Sequence, residues 1–130
     1  MNDRPRILII DHDLQRRARI CAWLQAEGFD PLVLGTNLQA TAAVAAPLAQ
    51  LILLATDLPG RHSVAAYQDL RGSPVTRHTP MLIIHPIVPP DYWEPLPFET
   101  DGPTYVTGNP TDETILLGRI HQMLNVMSER

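Results

Sequence analysis

The chain has a single cysteine, Cys21, among its 130 residues. An intramolecular disulfide is therefore excluded, and one thiol inside a helical pattern is typical of a small core side chain. This cysteine usage predicts a reducing compartment, the cytoplasm. Crossing a bilayer takes about 20 consecutive apolar residues, and no apolar run in the chain is that long. The first residues also lack the apolar core of a signal peptide. We therefore expect no membrane association.

Positive charge is also scarce. Ten basic and fourteen acidic residues give a net charge of −4, whereas nucleic-acid binding calls for a basic patch. We expect no nucleic-acid binding by this chain. Its length is near the commonest size of one domain, and it has no internal repeat or low-complexity linker. The sequence predicts a single domain over residues 1–130.

Short apolar runs alternate with helical patterns along the chain. The runs 7–10, 51–54 and 81–84 are continuously apolar, as is typical of parallel strands covered on both faces, and shorter strands are predicted at 32–34 and 104–107. Helices are predicted at 14–27, 37–46 and 64–71 and after Asn109-Pro110. This alternation predicts an α/β fold with a parallel sheet between two helical layers.

The predicted helices have apolar faces and end signals. In the first helix Asp13 is the expected N-cap and Gly28 the expected residue after the C-terminus. Its inward positions are predicted to be Leu14, Ala18, Cys21 and Leu24, with Arg16, Arg17 and Arg19 mostly outward. The last helix is predicted to bury Leu117, Ile120, Leu124 and Met127.

The segment from Pro86 to Pro103 interrupts the alternation. It contains six prolines, and each proline inside a helix costs about 3 kcal/mol or more. We therefore predict a long structured loop here, in place of a fourth helix.

Five stretches in register resemble the receiver domain of two-component response regulators. They are Arg6–Asp11, Glu27–Phe29, Leu51–Leu54 with Leu58-Pro59-Gly60, Thr79–Ile84, and Asn109-Pro110 before a helix carrying Leu116–Ile120. The resemblance implies a flavodoxin-like, doubly wound, five-stranded parallel sheet of order 2-1-3-4-5, with its site at the carboxyl ends of the strands.

The resemblance also implies a degenerate phosphorylation site. The phosphorylated aspartate of a receiver lies four residues before the proline of the Leu-Pro-Gly turn, and that residue here is Ala55. Receivers bind Mg²⁺ through two adjacent acidic residues after the first strand, and this chain has Asp11 and His12 at those positions. Receivers have a serine or threonine after the fourth strand, and this chain has His85 at that position. Receivers have a lysine before a proline, and this chain has Asn109 there. We predict no catalytic residue, no metal and no cofactor, and a stability independent of Mg²⁺.

Two alternatives remain open at this point. The chain could be phosphorylated at an unconventional carboxylate, Asp57 or Asp11, although a turn role for Asp57 is the favoured interpretation. It could also sense a metal or small ligand through His12 and His85 with Asp11 and His62, although their spacing does not favour chelation.

The favoured hypothesis is a non-enzymatic, phosphorylation-independent receiver-like module that binds another protein in a bacterial regulatory pathway. The predicted interaction surface comprises Tyr92, Trp93, Phe98 and Tyr105; Phe98 is expected to turn inward and Trp93 to contact the partner. Tyr105 lies one residue out of register with the switch aromatic of receivers. Dimerisation through the last helix is left open, and the partner is unknown.

Overall fold

A computed structural model describes residues 4–34, 49–55, 62–85, 93–95, 103–108 and 113–128. Within them, six strands and three helices follow one another along the chain. In chain order they are β1 (Arg6–Ile10), α1 (Leu14–Ala26), β2 (Asp30–Leu34), β3 (Leu51–Ala55), α2 (His62–Gly72), β4 (Met81–His85), β5 (Trp93–Pro95), β6 (Thr104–Gly108) and α3 (Glu113–Ser128). The helix predicted at 37–46 lies outside the described residues.

The strands form one sheet in the order β2-β1-β3-β4-β6-β5. Strands β2, β1, β3, β4 and β6 are mutually parallel. The prediction of a flavodoxin-like parallel sheet of order 2-1-3-4-5 is therefore confirmed, with β6 as the fifth parallel strand.

The sheet has a sixth strand that the sequence did not predict. Strand β5 lies inside the proline-rich segment and pairs antiparallel with β6, with Trp93 opposite Thr107 and Pro95 opposite Tyr105. The prediction of a loop throughout this segment was wrong at 93–95. Proline is tolerated here because an edge strand does not need every backbone N–H for the ladder.

The buried strands separate two apolar layers. Alternate residues point to opposite faces of a strand. Leu8 and Ile10 accordingly pack toward α2 with Ala66 and Leu70. Their neighbours Ile7 and Ile9 pack toward α1 and α3 in a second cluster, which includes Ile20, Leu24, Leu116, Ile120 and Met123. Because both faces are covered, the strands read as continuous apolar runs.

The inward face of α1 differs from the predicted one. Leu14 is 67% exposed and Ala18 is exposed, whereas the buried residues are Arg16, Ile20 and Leu24. Cys21 is half-buried against the core, as predicted. The prediction failed because it ranked positions by apolarity, and Arg16 enters the core with a charged partner.

The buried face of α3 is also displaced from the prediction. Leu116, Ile120 and Met123 are buried, and Leu117 and Leu124 lie partly buried at its margin. The predicted stripe was thus centred about one residue too late. The side chain of Met127 lies outside the described residues.

The end of α1 follows the sequence prediction. Gly28 has a φ of 93°, a left-handed conformation that glycine adopts without steric cost. The N–H of Gly28 donates to the carbonyl of Gln25 at 3.1 Å, and that of Phe29 donates to the carbonyl of Leu24 at 2.9 Å. These two bonds form a Schellman motif, which turns the chain into β2. None of the described helices is long and apolar enough to cross a membrane.

Candidate functional site

The predicted site lies where the central strands end. Ile10 is in register with Leu54, so Asp11 and Ala55 follow at the same level on neighbouring strands. Ala55 is in register with Ile84 on β4, and His85 follows directly. The structure therefore brings Asp11, Ala55 and His85 to one edge of the sheet. Asn109 and Asp57 lie outside the described residues.

Asp11 is engaged by a buried arginine. Arg16 Nε donates to Asp11 Oδ2 at 2.6 Å, and Arg16 Nη2 donates to Oδ1 at 2.7 Å. The side chains are 1% exposed for Asp11 and 4% for Arg16. Two parallel, charge-assisted hydrogen bonds of this kind match the fork of the guanidinium to both carboxylate oxygens. Asp11, the acidic residue of the predicted site, is thus already paired with a cation of the same chain.

Two further hydrogen bonds involve Asp11. The N–H of Asp13 donates to Asp11 Oδ1 at 2.9 Å. Arg17 Nη1 donates to the carbonyl oxygen of Asp11 at 3.3 Å. Oδ1 therefore accepts two hydrogen bonds, and the carboxylate is held at the entrance of α1.

Asp13 caps α1, as the sequence predicted. Its Oδ1 accepts from the backbone N–H groups of Gln15 and Arg16, each at 3.0 Å. The hydrogen bond from the N–H of Arg16 lowers the pKa of Asp13 below its ordinary value of 3.8; burial opposes this shift, and the positive charge of Arg16 adds to it. The cap fixes where the helix starts and, with it, the direction in which Arg16 projects.

The position predicted to correspond to the phosphoacceptor of receivers holds a buried methyl group. Ala55 is the last residue of β3 and is 1% exposed. Its side chain has no oxygen that could attack a phosphoryl donor or bind a metal.

Among the described side chains, His12 and His85 find no third ligand for a metal ion. His12 is half-buried, and its Nδ1 has no hydrogen-bond partner within the described part of the chain. His85 is half-buried at the end of β4. Over the described ranges, no three His, Cys, Asp or Glu side chains are grouped to hold a metal ion.

The described residues of this edge do not fit Mg²⁺. That ion requires near-octahedral oxygen ligands, but the side chain of Ala55 supplies none, and both carboxylate oxygens of Asp11 are hydrogen-bonded to Arg16. The imidazole of His12 is a poor ligand for a hard cation. A guanidinium placed against Asp11 also repels a second cation electrostatically.

Arg16 is the site residue that sequence reasoning missed, since it was predicted to point outward. A signal was present: Arg16 lies four residues before Ile20 and eight before Leu24, so all three share one helix face. A charged residue on the buried face of a helix requires a partner, and Asp11 lies only five residues away in the chain.

The described residues include two of the four residues predicted to form the interaction surface. Tyr105 is half-buried and packs against the core between the sheet and α3. Trp93 opens β5, with its backbone paired to Thr107, and its side chain is not among those described. Tyr92 and Phe98 lie outside the described residues.

Known proteins confirm the resemblance to receivers. No model of a known family matches the chain. The DNA-binding response regulator MtrA of Mycobacterium tuberculosis is 36% identical over 69 residues, which cover 53% of this chain and 30% of MtrA. The chain thus spans about a third of the length of the curated relatives it matches.

Solved structures of other proteins superpose on this chain over nearly its whole length. A sensor protein from Polaromonas sp. JS666 superposes with a TM-score of 0.75 at 23% identity, covering 95% of this chain and 98% of that one. A putative response regulator from Chloroflexus aurantiacus gives 0.75 at 17% identity, with 95% and 99% covered. The receiver domain of Klebsiella pneumoniae RstA gives 0.70 at 22% identity, with 92% and 97% covered. The chain therefore has the fold of response-regulator receiver domains.

Proposed function

We propose that this receiver domain works without phosphorylation and acts by binding another protein in a bacterial regulatory pathway. The observation that carries the proposal is the closed ion pair of Asp11 and Arg16 beside the methyl group of Ala55. The proposal assigns no catalysis and no cofactor to the chain.

Forming an acyl phosphate needs three groups at one place. They are a carboxylate nucleophile, a metal ion that neutralises developing charge, and a cation that contacts the phosphoryl oxygens. Ala55 cannot supply the carboxylate nucleophile. Binding of the metal ion is disfavoured because the carboxylate of Asp11 is already hydrogen-bonded to Arg16. A lysine cannot supply the third, because all ten basic residues of the chain are arginines.

The alternatives have unequal support. Phosphorylation of Asp11 is disfavoured because its oxygens are buried and hydrogen-bonded to Arg16. Phosphorylation of Asp57 is left to experiment. A metal sensor built on His12 and His85 finds no third ligand among the described side chains.

The proposed partner surface lies around β5, at the end of the sheet. Trp93 opens β5, the strand at this edge, and Tyr92 and Phe98 lie within three residues of β5 in the sequence. Aromatic side chains are frequent anchors of interfaces. Tyr105 serves this surface indirectly, since its packing against the core fixes the strand to which β5 is paired.

The DNA-binding activity in the name of MtrA is not carried over. The matched region is 30% of that protein, and the net charge of this chain is −4. We propose a cytoplasmic, single-domain module over residues 1–130 that does not bind nucleic acid or membranes. Self-association through α3 is a further alternative, tested by the oligomeric state in solution.

Intact-mass spectrometry tests the absence of phosphorylation. The protein is incubated with acetyl phosphate and Mg²⁺ beside a conventional receiver domain as positive control. We expect the added mass of one phosphoryl group in the control and no added mass in this chain. Phosphoryl addition that Asp57→Asn abolishes would instead establish the unconventional acceptor.

Comparative affinity capture tests the partner surface. Wild type, Trp93→Ala and the control Val33→Ala are used as baits; Val33 is an exposed residue of β2, at the opposite edge of the sheet. We expect a bound protein that is retained by wild type and Val33→Ala and lost with Trp93→Ala. Equal retention by all three baits would exclude Trp93 as a contact.

A further inference from the structure

We infer that Arg16 is a built-in replacement for the divalent cation, so that this site carries its own permanent counter-charge and excludes a metal ion. The inference rests on the proposed function and deepens it, because it gives a physical reason why the same site would need neither metal nor phosphate. It concerns charge compensation, whereas the proposed function concerns phosphoryl transfer, so each can fail separately.

The geometry of the pair is that of a closed site. Both oxygens of Asp11 face the fork of Arg16, with donor–acceptor distances of 2.6 and 2.7 Å. Burial of both side chains weakens the screening of their attraction by water and salt. Arginine stays protonated throughout the accessible pH range, so the counter-charge is never withdrawn.

The local sequence holds Arg16 in place. Asp13 accepts a hydrogen bond from the backbone N–H of Arg16 at 3.0 Å, which fixes the first turn of α1. Ile20 and Leu24 lie on the same face and are fully buried, which fixes the rotation of the helix. The guanidinium is therefore directed at Asp11 by the cap and by the core together.

Removal of Arg16 reverses this charge balance. A buried carboxylate without a partner is strongly unfavourable, and any cation that compensates it stabilises the folded state. Asp13 supplies a second carboxylate two residues from Asp11. We therefore expect Arg16→Gln to acquire a response to Mg²⁺ that the wild type lacks.

Thermal unfolding of four proteins tests the inference. They are wild type, Arg16→Gln, Arg16→Gln with Asp11→Asn, and the control Arg19→Gln, which removes an exposed arginine from the same helix. Each is measured with millimolar MgCl₂ and with NaCl at equal ionic strength. We expect a Tm increase of several degrees with MgCl₂ for Arg16→Gln alone, and no difference between the salts for the other three.

Other outcomes overturn the inference. A Tm increase of the wild type with MgCl₂ would show that Arg16 does not exclude the metal. If Arg16→Gln folds and its Tm is the same with MgCl₂ and NaCl, Arg16 is not a substitute for the divalent cation. In that second case the absence of phosphorylation, measured by intact mass, would still stand.

A spectroscopic measurement decides the matter if Arg16→Gln does not fold under either condition. Mn²⁺ broadens amide resonances close to its binding site, so ¹H–¹⁵N spectra of the wild type are recorded during a Mn²⁺ titration. Unchanged amides at 11–13 support exclusion of the metal, with a conventional receiver as positive control. Selective broadening of these amides overturns it.

Discussion

Arg71 on α2 and Thr104 on β6 are joined by a hydrogen bond of 2.7 Å from Nη2 to Oγ1. Arg71 Nη1 also donates to the carbonyl of Thr79 at 2.7 Å and to that of Thr76 at 3.2 Å. One side chain therefore ties α2, the turn before β4 and the start of β6 together. Since β6 pairs with β5, this network also holds the strand next to the proposed partner surface.

We expect Arg71→Ala to lower the free energy of unfolding by about 2–3 kcal/mol, because several carbonyls and a hydroxyl lose a charged donor. Urea unfolding measures the change. Arg77→Ala, which truncates an exposed side chain in the same turn, should stay within about 0.5 kcal/mol of wild type. Equal effects of the two substitutions would contradict the assigned role of Arg71.

The Asp11–Arg16 pair should show strong energetic coupling. Arg16→Met alone leaves a buried carboxylate unpaired, and we expect a loss of about 3–5 kcal/mol. Adding Asp11→Asn removes the unpaired charge and keeps an acceptor for the N–H of Asp13, so the double variant should be more stable than Arg16→Met. A double-mutant cycle by urea unfolding measures the coupling; additive effects would show that the pair is not a unit.

The cap of α1 should make stability depend on pH in the acid range. The pKa of Asp13 is below 3.8 in the folded state, so between the two pKa values the unfolded chain binds more protons. The contribution of this group is therefore complete above the unfolded value and is lost as pH falls through the folded one.

Asp13→Asn should keep a cap oxygen and remove this part of the pH dependence, whereas Asp13→Ala should cost about 1 kcal/mol at neutral pH. Chemical unfolding between acidic and neutral pH gives both values. An unchanged acid slope in Asp13→Asn would assign the pH dependence to other carboxylates.

Two glycines in exposed positions should respond in opposite directions to alanine. Gly28 has a φ of 93°, and no neighbouring atom lies within 4 Å of an added Cβ, so strain alone should cost about 1 kcal/mol or more. Gly118 lies inside α3 with the same open space, and alanine there should stabilise by about 0.5–1 kcal/mol. Thermal unfolding of Gly28→Ala and Gly118→Ala gives the two signs; a stabilised Gly28→Ala would contradict the left-handed turn.

Much of the fold could be predicted because its signals are local. A continuous apolar run such as Ile7–Ile10 indicates a buried parallel strand without knowledge of its neighbours, and Gly28 marks the end of α1 by its backbone freedom. The prediction that Ala55 occupies the acceptor position also uses a local signal, since it counts back from the Leu-Pro-Gly turn. The order of these signals along the chain was enough to predict the parallel sheet.

What only the tertiary structure decided depends on partners brought together by folding. Strand β5 forms because its backbone pairs with that of β6. Its three residues, Trp93–Pro95, end in a proline and carry no strand signal of their own. The inward orientation of Arg16 depends on the carboxylate of Asp11 at the end of β1, because burial of an arginine is favourable only when an opposite charge compensates its own. The sequence by itself determined that alanine, not aspartate, stands four residues before the proline of the Leu-Pro-Gly turn; only the folded chain decided that Arg16 pairs with Asp11.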